Sequence, residues 1–179
     1  MLFKVIIVSV ILAAAVTGDI VRYRISNAVV AAGLAAGILV NLICEGSYGF
    51  LKALLGAVLP AALLFVLFVL RMLGAGDIKL FCAIGAVMGA GFILYATALS
   101  FLAGGVMALI IMVARGNARR RLAYTAAWIK TVLLTQTFLP YTDFNDKSDG
   151  AKFHFSPAIA AGCYIEVIYM LICAPTPFC

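Results

Sequence analysis

From Leu80 to Ala114 the chain runs for 35 residues without one charged side chain. Water offers such a stretch no partner for its outer face. Hydrocarbon does, and a helix crosses a bilayer with roughly 20 mostly apolar residues. The run is too long for one tilted helix and is interrupted by Gly89-Ala90-Gly91, so it predicts a short helix followed by a longer one. Four more apolar runs lie at residues 1–16, 28–44, 53–70 and 155–174. The polar Glu45-Gly46-Ser47 segment turns the runs at 28–44 and 53–70 into a helical hairpin. Lys4 interrupts the first run, close enough to the chain end to snorkel to the interface.

Only 11% of the residues are charged and 66% are hydrophobic, whereas soluble domains carry about 25% charged residues. The expected fold is therefore all-α: a polytopic membrane protein of about six transmembrane helices, one domain over residues 1–179, with no room for a separate soluble domain. Residues 115–154 read as a cytoplasmic or interfacial loop. Within it, 122–139 is nearly long enough to cross, yet Trp128, Lys130 and Gln136 suit an interfacial helix. The first run, with Lys4 ahead of it and Ala13-Ala14-Ala15 at its end, also has the form of a secretory signal. Five further apolar segments and the arginines that follow it favour a retained helix.

The net charge of +6 orients the bundle. In a six-helix frame, eleven of the thirteen Lys and Arg residues fall on one side, and only Lys4 and Lys52 on the other. The basic side is expected to face the cytoplasm. The charge is then a topology signal rather than the footprint of a nucleic-acid partner. Among the five cysteines there is no Cys-x-x-Cys pair and no histidine at zinc-ligand spacing, so neither a metal nor a cofactor is expected. Cys44, Cys173 and Cys179 would share the outer face, where a disulfide could form.

With seven acidic residues, placement is informative. Asp143, Asp146 and Asp149 share a polar loop that lacks the closing glutamate of a calcium site and reads as a solvated linker. Glu45 sits in the outer turn. Glu166 lies among apolar neighbours in the last helix, where being hidden in the bundle is favoured over a substrate contact. His154 has no serine or cysteine motif around it, which argues against a catalytic triad. Asp19 and Asp77 differ from all of these. Each stands at the cytoplasmic end of an apolar helix, within Thr17-Gly18-Asp19-Ile20-Val21-Arg22-Tyr23-Arg24-Ile25-Ser26-Asn27 and Gly74-Ala75-Gly76-Asp77-Ile78-Lys79-Leu80. An ionisable group at membrane depth marks a functional site by default.

Two carboxyls suffice for peptide hydrolysis without a metal or a covalent nucleophile: one, ionised, takes a proton from water, and the other, protonated, polarises the scissile carbonyl. Like charges so close share one proton and titrate together. Lys79 would oppose that if its ammonium pointed inward. Gly74 and Gly76 would let the backbone unwind and approach a peptide closely. On spacing alone, aspartates bonded to Arg22, Arg24 or Arg71 in an assembly subunit fit equally well. A small transporter binding cations at the two aspartates is a further alternative, although the helix-end positions and the lack of repeat symmetry speak against it.

At these residues the chain resembles the type IV prepilin leader peptidases, the bacterial and archaeal branch of the Gly-x-Gly-Asp aspartic endopeptidases. The segment from Asp19 through Arg22 to Asn27 and the segment Gly74-x-Gly76-Asp77-x-Lys79 carry the match. A weaker echo is Phe153-His154-Phe155-Ser156-Pro157-Ala158-Ile159-Ala160 ahead of the last helix. The resemblance implies Asp19 and Asp77 as the catalytic pair, with Gly74, Gly76, Lys79, Arg22 and Asn27 as supporting residues. It implies a pilin-like precursor protein as substrate, cut between its basic leader and its hydrophobic helix, and membrane lipid as surroundings. The location implied is the prokaryotic inner (plasma) membrane, with the site facing the cytoplasm. Larger members also methylate the new amino terminus and carry a cytoplasmic domain with paired cysteines. This chain has neither the length for that domain nor Cys-x-x-Cys pairs, and looks like a short, peptidase-only form.

Overall fold

The computed structural model describes residues 2–22, 24–70, 72–114, 131, 134 and 155–173. Most of the 115–154 segment, with its basic stretch, its acidic loop and His154, lies outside the described residues, as do Arg71 and Cys179. Five helices follow in order: α1 (Leu2–Arg22), α2 (Asn27–Val69), α3 (Ala75–Met88), α4 (Ala90–Ala114) and α5 (Ser156–Cys173). No strand occurs among the described residues.

All but α3 are long and apolar enough to cross a membrane. Large apolar side chains such as Ile43, Val113 and Ile172 face outward, a surface suited to lipid rather than water. The chain is a membrane protein. With 14 residues, α3 measures about 21 Å and falls short of a bilayer core by itself.

The long α2 is not straight. Gly46 has φ 62° and ψ −141°, outside helical space and in the left-handed half of the map that glycine tolerates. There the chain reverses, since the backbone of Gly49 presses against the Asn41 carbonyl and Lys52 reaches back to Glu45 at 3.2 Å. The expected hairpin is present, with its turn at the expected residue. Its two limbs hold α3 between them: Gly37 meets the backbone of Ala86 and Val87, and Gly56 meets the carbonyl of Gly85. Glycine at these contacts lets backbones approach more closely than any side chain would permit, the usual basis of tight packing between membrane helices.

The second expected break also occurs. At Gly89 (φ 93°) α3 ends, and Ile93, in the first turn of α4, packs back against Gly85. α4 then pairs with α5, where Gly162 lies on the backbone of Ser100 and the ring of Phe155 fills the space beside Gly104. The Ser100 hydroxyl donates to Ala96 O at 2.6 Å and reaches Ile159 O at 3.4 Å. Val8, Leu12, Leu64, Phe81, Ile84 and Phe92 form the centre of the core, so α1 is integral to the bundle.

Lys4 does not snorkel. Its side chain is buried and its ammonium donates to Asn41 Oδ1 at 2.8 Å and to Glu45 at 3.4 Å. Asn41, fully buried, shares its amide hydrogens among the carbonyls of Gly37, Ala86 and Val87 at 2.9–3.0 Å. The last carbonyls of α3 lack helical partners. They and Glu45 give the amide and the ammonium an internal destination that satisfies them better than a stretched stem at the interface. No disulfide joins Cys44, Cys82, Cys163 and Cys173 to one another. Glu166 is buried, as expected of a carboxyl hidden in the bundle.

Candidate active site

The end of the bundle opposite Lys4 and Gly46 gathers four segments: the last turn of α1, the link to α2, the first turn of α3 and the start of α5. Asp19 lies in that last turn of α1, which continues past the first apolar run to Arg22. A connection of only four residues then returns the chain into α2 at Asn27, and Gly18 makes it possible by packing close to the Arg24 carbonyl, 3.2 Å from where a Cβ would stand.

Asp77 occupies the third position of α3, after the cap residue Gly74. The Gly74 carbonyl accepts from the amides of Asp77 (3.2 Å) and Ile78 (3.4 Å), and the Asp77 carboxyl bonds back to the Gly74 backbone. This is the reciprocal arrangement of a helix cap, with an acidic residue in the first turn facing the positive end of the helix. Of the two motif glycines, only Gly74 lies outside helical backbone. Gly74 is extended at φ −73°, and Gly76 lies inside the helix. The reason for glycine at 74 is room, because a Cβ there would stand 3.1 Å from the Asp77 carboxylate. Gly76 packs on the side chain of Ile25, at 3.5 Å from its own would-be Cβ, and so brings the two motif segments together.

A second contact joins the same segments: Lys79 Nζ donates to Asn27 Oδ1 at 3.1 Å. The ammonium is thus directed at Asn27 rather than inward. Asp77 stands outside the four long apolar helices. Burial first, and the charge of Asp19 second, push its carboxyl up from 3.8 to about 6 against the opposing bond from Gly74, and Lys79 is not among the causes. The charge of Asp19 therefore acts on Asp77. Among the described residues no ion pair involves Asp77, and Arg22 and Arg24 are exposed.

One participant carried no role in the sequence reading. Ser156, the first residue of α5, is fully buried and its hydroxyl donates to Asp19 Oδ2. The Phe-Ser-Pro-Ala echo marked the segment as the start of a terminal helix. Nothing in the local sequence could show that the serine would end beside α1. The described residues contain no cluster of His, Cys, Asp and Glu able to hold a metal ion.

The arrangement offers, at one end of the bundle, a carboxyl at Asp77 raised by burial and by the charge of Asp19, with a buried hydroxyl bonded to Asp19. The sequence profile of the type IV leader peptidase family matches residues 6–109, more than half of the chain and inclusive of both aspartates. No curated protein and no solved structure matches the chain.

Proposed function

Because the chain belongs to the type IV leader peptidase family, we propose that it is an aspartic endopeptidase whose dyad is Asp19 and Asp77. The substrate of this reading is a pilin-like precursor, cut where a basic leader meets a hydrophobic helix at the cytoplasmic boundary of a prokaryotic inner membrane. The observation that carries it is the joining of the two motif segments, with Gly76 packed on Ile25 and Lys79 bonded to Asn27. Asp19 and Asp77, 58 positions apart in sequence, belong to these segments, and burial first and the charge of Asp19 second raise the Asp77 carboxyl. Among the described residues, which leave out Arg71, Asp77 makes no ion pair with arginine, the alternative role for such residues.

In the reaction a water molecule lies between the carboxyls. Asp19, ionised, takes its proton as the water oxygen attacks the scissile carbonyl carbon. Asp77, protonated, donates to the carbonyl oxygen as it gains charge. The resulting tetrahedral intermediate collapses when the proton now on Asp19 passes to the leaving nitrogen, the carbon–nitrogen bond breaks, and Asp77 recovers its proton from the forming carboxyl group. Asp77 suits the acid role because burial and its neighbour raise its affinity for a proton. The exposed Lys79 and Asn27 then serve to hold the two motif segments in register.

The test is to reconstitute the purified chain in liposomes with a pilin-like precursor and locate the cut by mass spectrometry. A single cut between leader and hydrophobic helix is expected. An uncut precursor, or cutting that persists in Asp77→Asn, would refute the reading.

A further inference from the structure

We propose that Lys4, bonded through Asn41 to the end of α3, is a positioning residue that sets the height of Asp19 on α1 against Asp77 on α3. The inference rests on the peptidase reading for its consequence in catalysis, while the register of the two helices stands apart from that reading.

The helices that carry the two aspartates are held in different ways. α3 is locked into the α2 hairpin by its backbone: a Cβ at Gly37 would stand 2.7 Å from Val87 N, and one at Gly56 would strike the Gly85 carbonyl. Sliding α3 would drive backbone into backbone. The buried face of α1 beyond Lys4 is instead Val8, Ile11, Leu12 and Ala15, and Ile11 meets Gly33 of α2 through its side chain. Apolar side chains yield to a shift, and lipid offers an apolar helix much the same surroundings as its neighbours do. Such packing specifies the height of α1 only weakly.

The polar cluster at Lys4 specifies it strongly. The ammonium donates to Asn41 Oδ1 at 2.8 Å, and the amide of the same Asn41 donates to the Ala86 and Val87 carbonyls at 2.9 and 3.0 Å. One side chain thus joins the first turn of α1 to the last turn of α3. Lys4 and Asn41 are both buried, so water cannot replace the bond if α1 slides, and the groups left behind would stay unsatisfied. Fixing the register of apolar helices is the best-attested use of buried polar contacts. Lys4 stands 15 residues before Asp19, about 22 Å along α1, and Ala86 stands 9 residues after Asp77, about 14 Å along α3. A register fixed at one end of two continuous helices is delivered to the other. The contacts at the active end leave that task to the cluster. Gly76 meets Ile25 through a side chain, the bond of Lys79 to Asn27 is exposed, and Ser156 ties Asp19 to α5 rather than to α3.

Two readouts on the full chain in liposomes test this. One is the distance between spin labels on Val21→Cys, in the last turn of α1, and Ala75→Cys, in the first turn of α3, both exposed positions, in a background freed of the native cysteines. The other is kcat and KM for precursor cleavage by the unlabelled chain. Lys4→Met keeps an apolar stem and removes the bond. The label distance is then expected to shift by about 1.5 Å, one residue's rise, or more. With it kcat should fall about tenfold at unchanged KM, as for a loss of orientation alone. Lys4→Gln, one bond too short for Asn41 Oδ1 but still polar, should behave alike and serves where Lys4→Met folds poorly. Lys52→Met removes the other ammonium from Glu45 without touching α1 and should leave both readouts unmoved. An unmoved label distance in the Lys4 variants, a kcat that survives a moved one, or an equal change in Lys52→Met would overturn the proposal. If wild type cuts no precursor, the peptidase reading falls while the label distance still decides whether Lys4 sets the register.

Discussion

Lys79 Nζ donates to Asn27 Oδ1 at 3.1 Å across 52 residues of sequence, and the bond ties the segment that follows Asp19 to the helix that carries Asp77. Both side chains are exposed, so the bond adds little to folding, yet it lies next to the residues whose separation matters. Asn27→Ala and Lys79→Ala are each expected to lower precursor cleavage about five- to tenfold, the effect of about 1 kcal/mol in positioning, with little change in thermal stability. The double variant should be scarcely worse than either single one, because each removes the same tie. Cleavage rates and melting curves for the three proteins check this.

The raised carboxyl of Asp77 sets the alkaline side of the activity profile. As an acid it must hold its proton, which it loses as pH rises through about 6. kcat/KM is therefore expected to fall above that value, since it reports the groups of the free enzyme. A rate that stays flat from pH 5 to 9 would remove Asp77 from the acid role.

The same shift has a consequence for stability. Asp77 titrates at 3.8 in the unfolded reference and at about 6 in the fold, so the folded chain binds more protons between those values. Stability is therefore fully present below about 3.8 and is lost as pH rises toward 6 and beyond. Asp77→Asn, which carries no charge, should be more stable than wild type at pH 7 by roughly 1 kcal/mol after screening by solvent. The advantage should vanish near pH 4. Thermal unfolding in detergent at the two pH values measures it.

Packing makes a sharper demand at glycine. A Cβ at Gly85 would collide with the Gly56 carbonyl, backbone against backbone, with no flexible side chain to yield. Gly85→Ala is expected to force α3 out of the α2 hairpin and to reduce the folded yield severely, by a cost of several kcal/mol. At Gly91 a Cβ would meet nothing within 4 Å, and Gly91→Ala should fold normally. Monodispersity after extraction, compared across the two, is the check.

How far these features were legible in the sequence follows from what kind of signal each one leaves. The turn at Gly46 and the break at Gly89 stand out because polar residues or paired glycines interrupt uncharged runs. Asp19 and Asp77 stand out because carboxyls are rare in such a chain. The partners of each helix were not legible. Helices apolar on every side carry no polar face to reveal which side meets a neighbour, so the pairings of Gly56 with Gly85 and of Gly162 with Ser100 emerge only in three dimensions. Lys4 misled for a related reason: its position near the chain end suggested snorkelling, while its acceptors, Asn41 and Glu45, lie 37 and 41 residues away. Ser156 is 137 residues from Asp19 and has no local pattern that points to it.

The most direct test of the dyad is to follow leader removal from one pilin-like precursor by wild type, Asp19→Asn and Asp77→Asn at matched membrane levels. Each substitution keeps the size of the side chain and removes only its ability to exchange a proton. Cutting by wild type and loss of at least about a thousandfold in both variants is the expected result, as for members of an acid–base pair that act as a unit. Cutting at near wild-type rate by either variant would contradict the assignment of that aspartate.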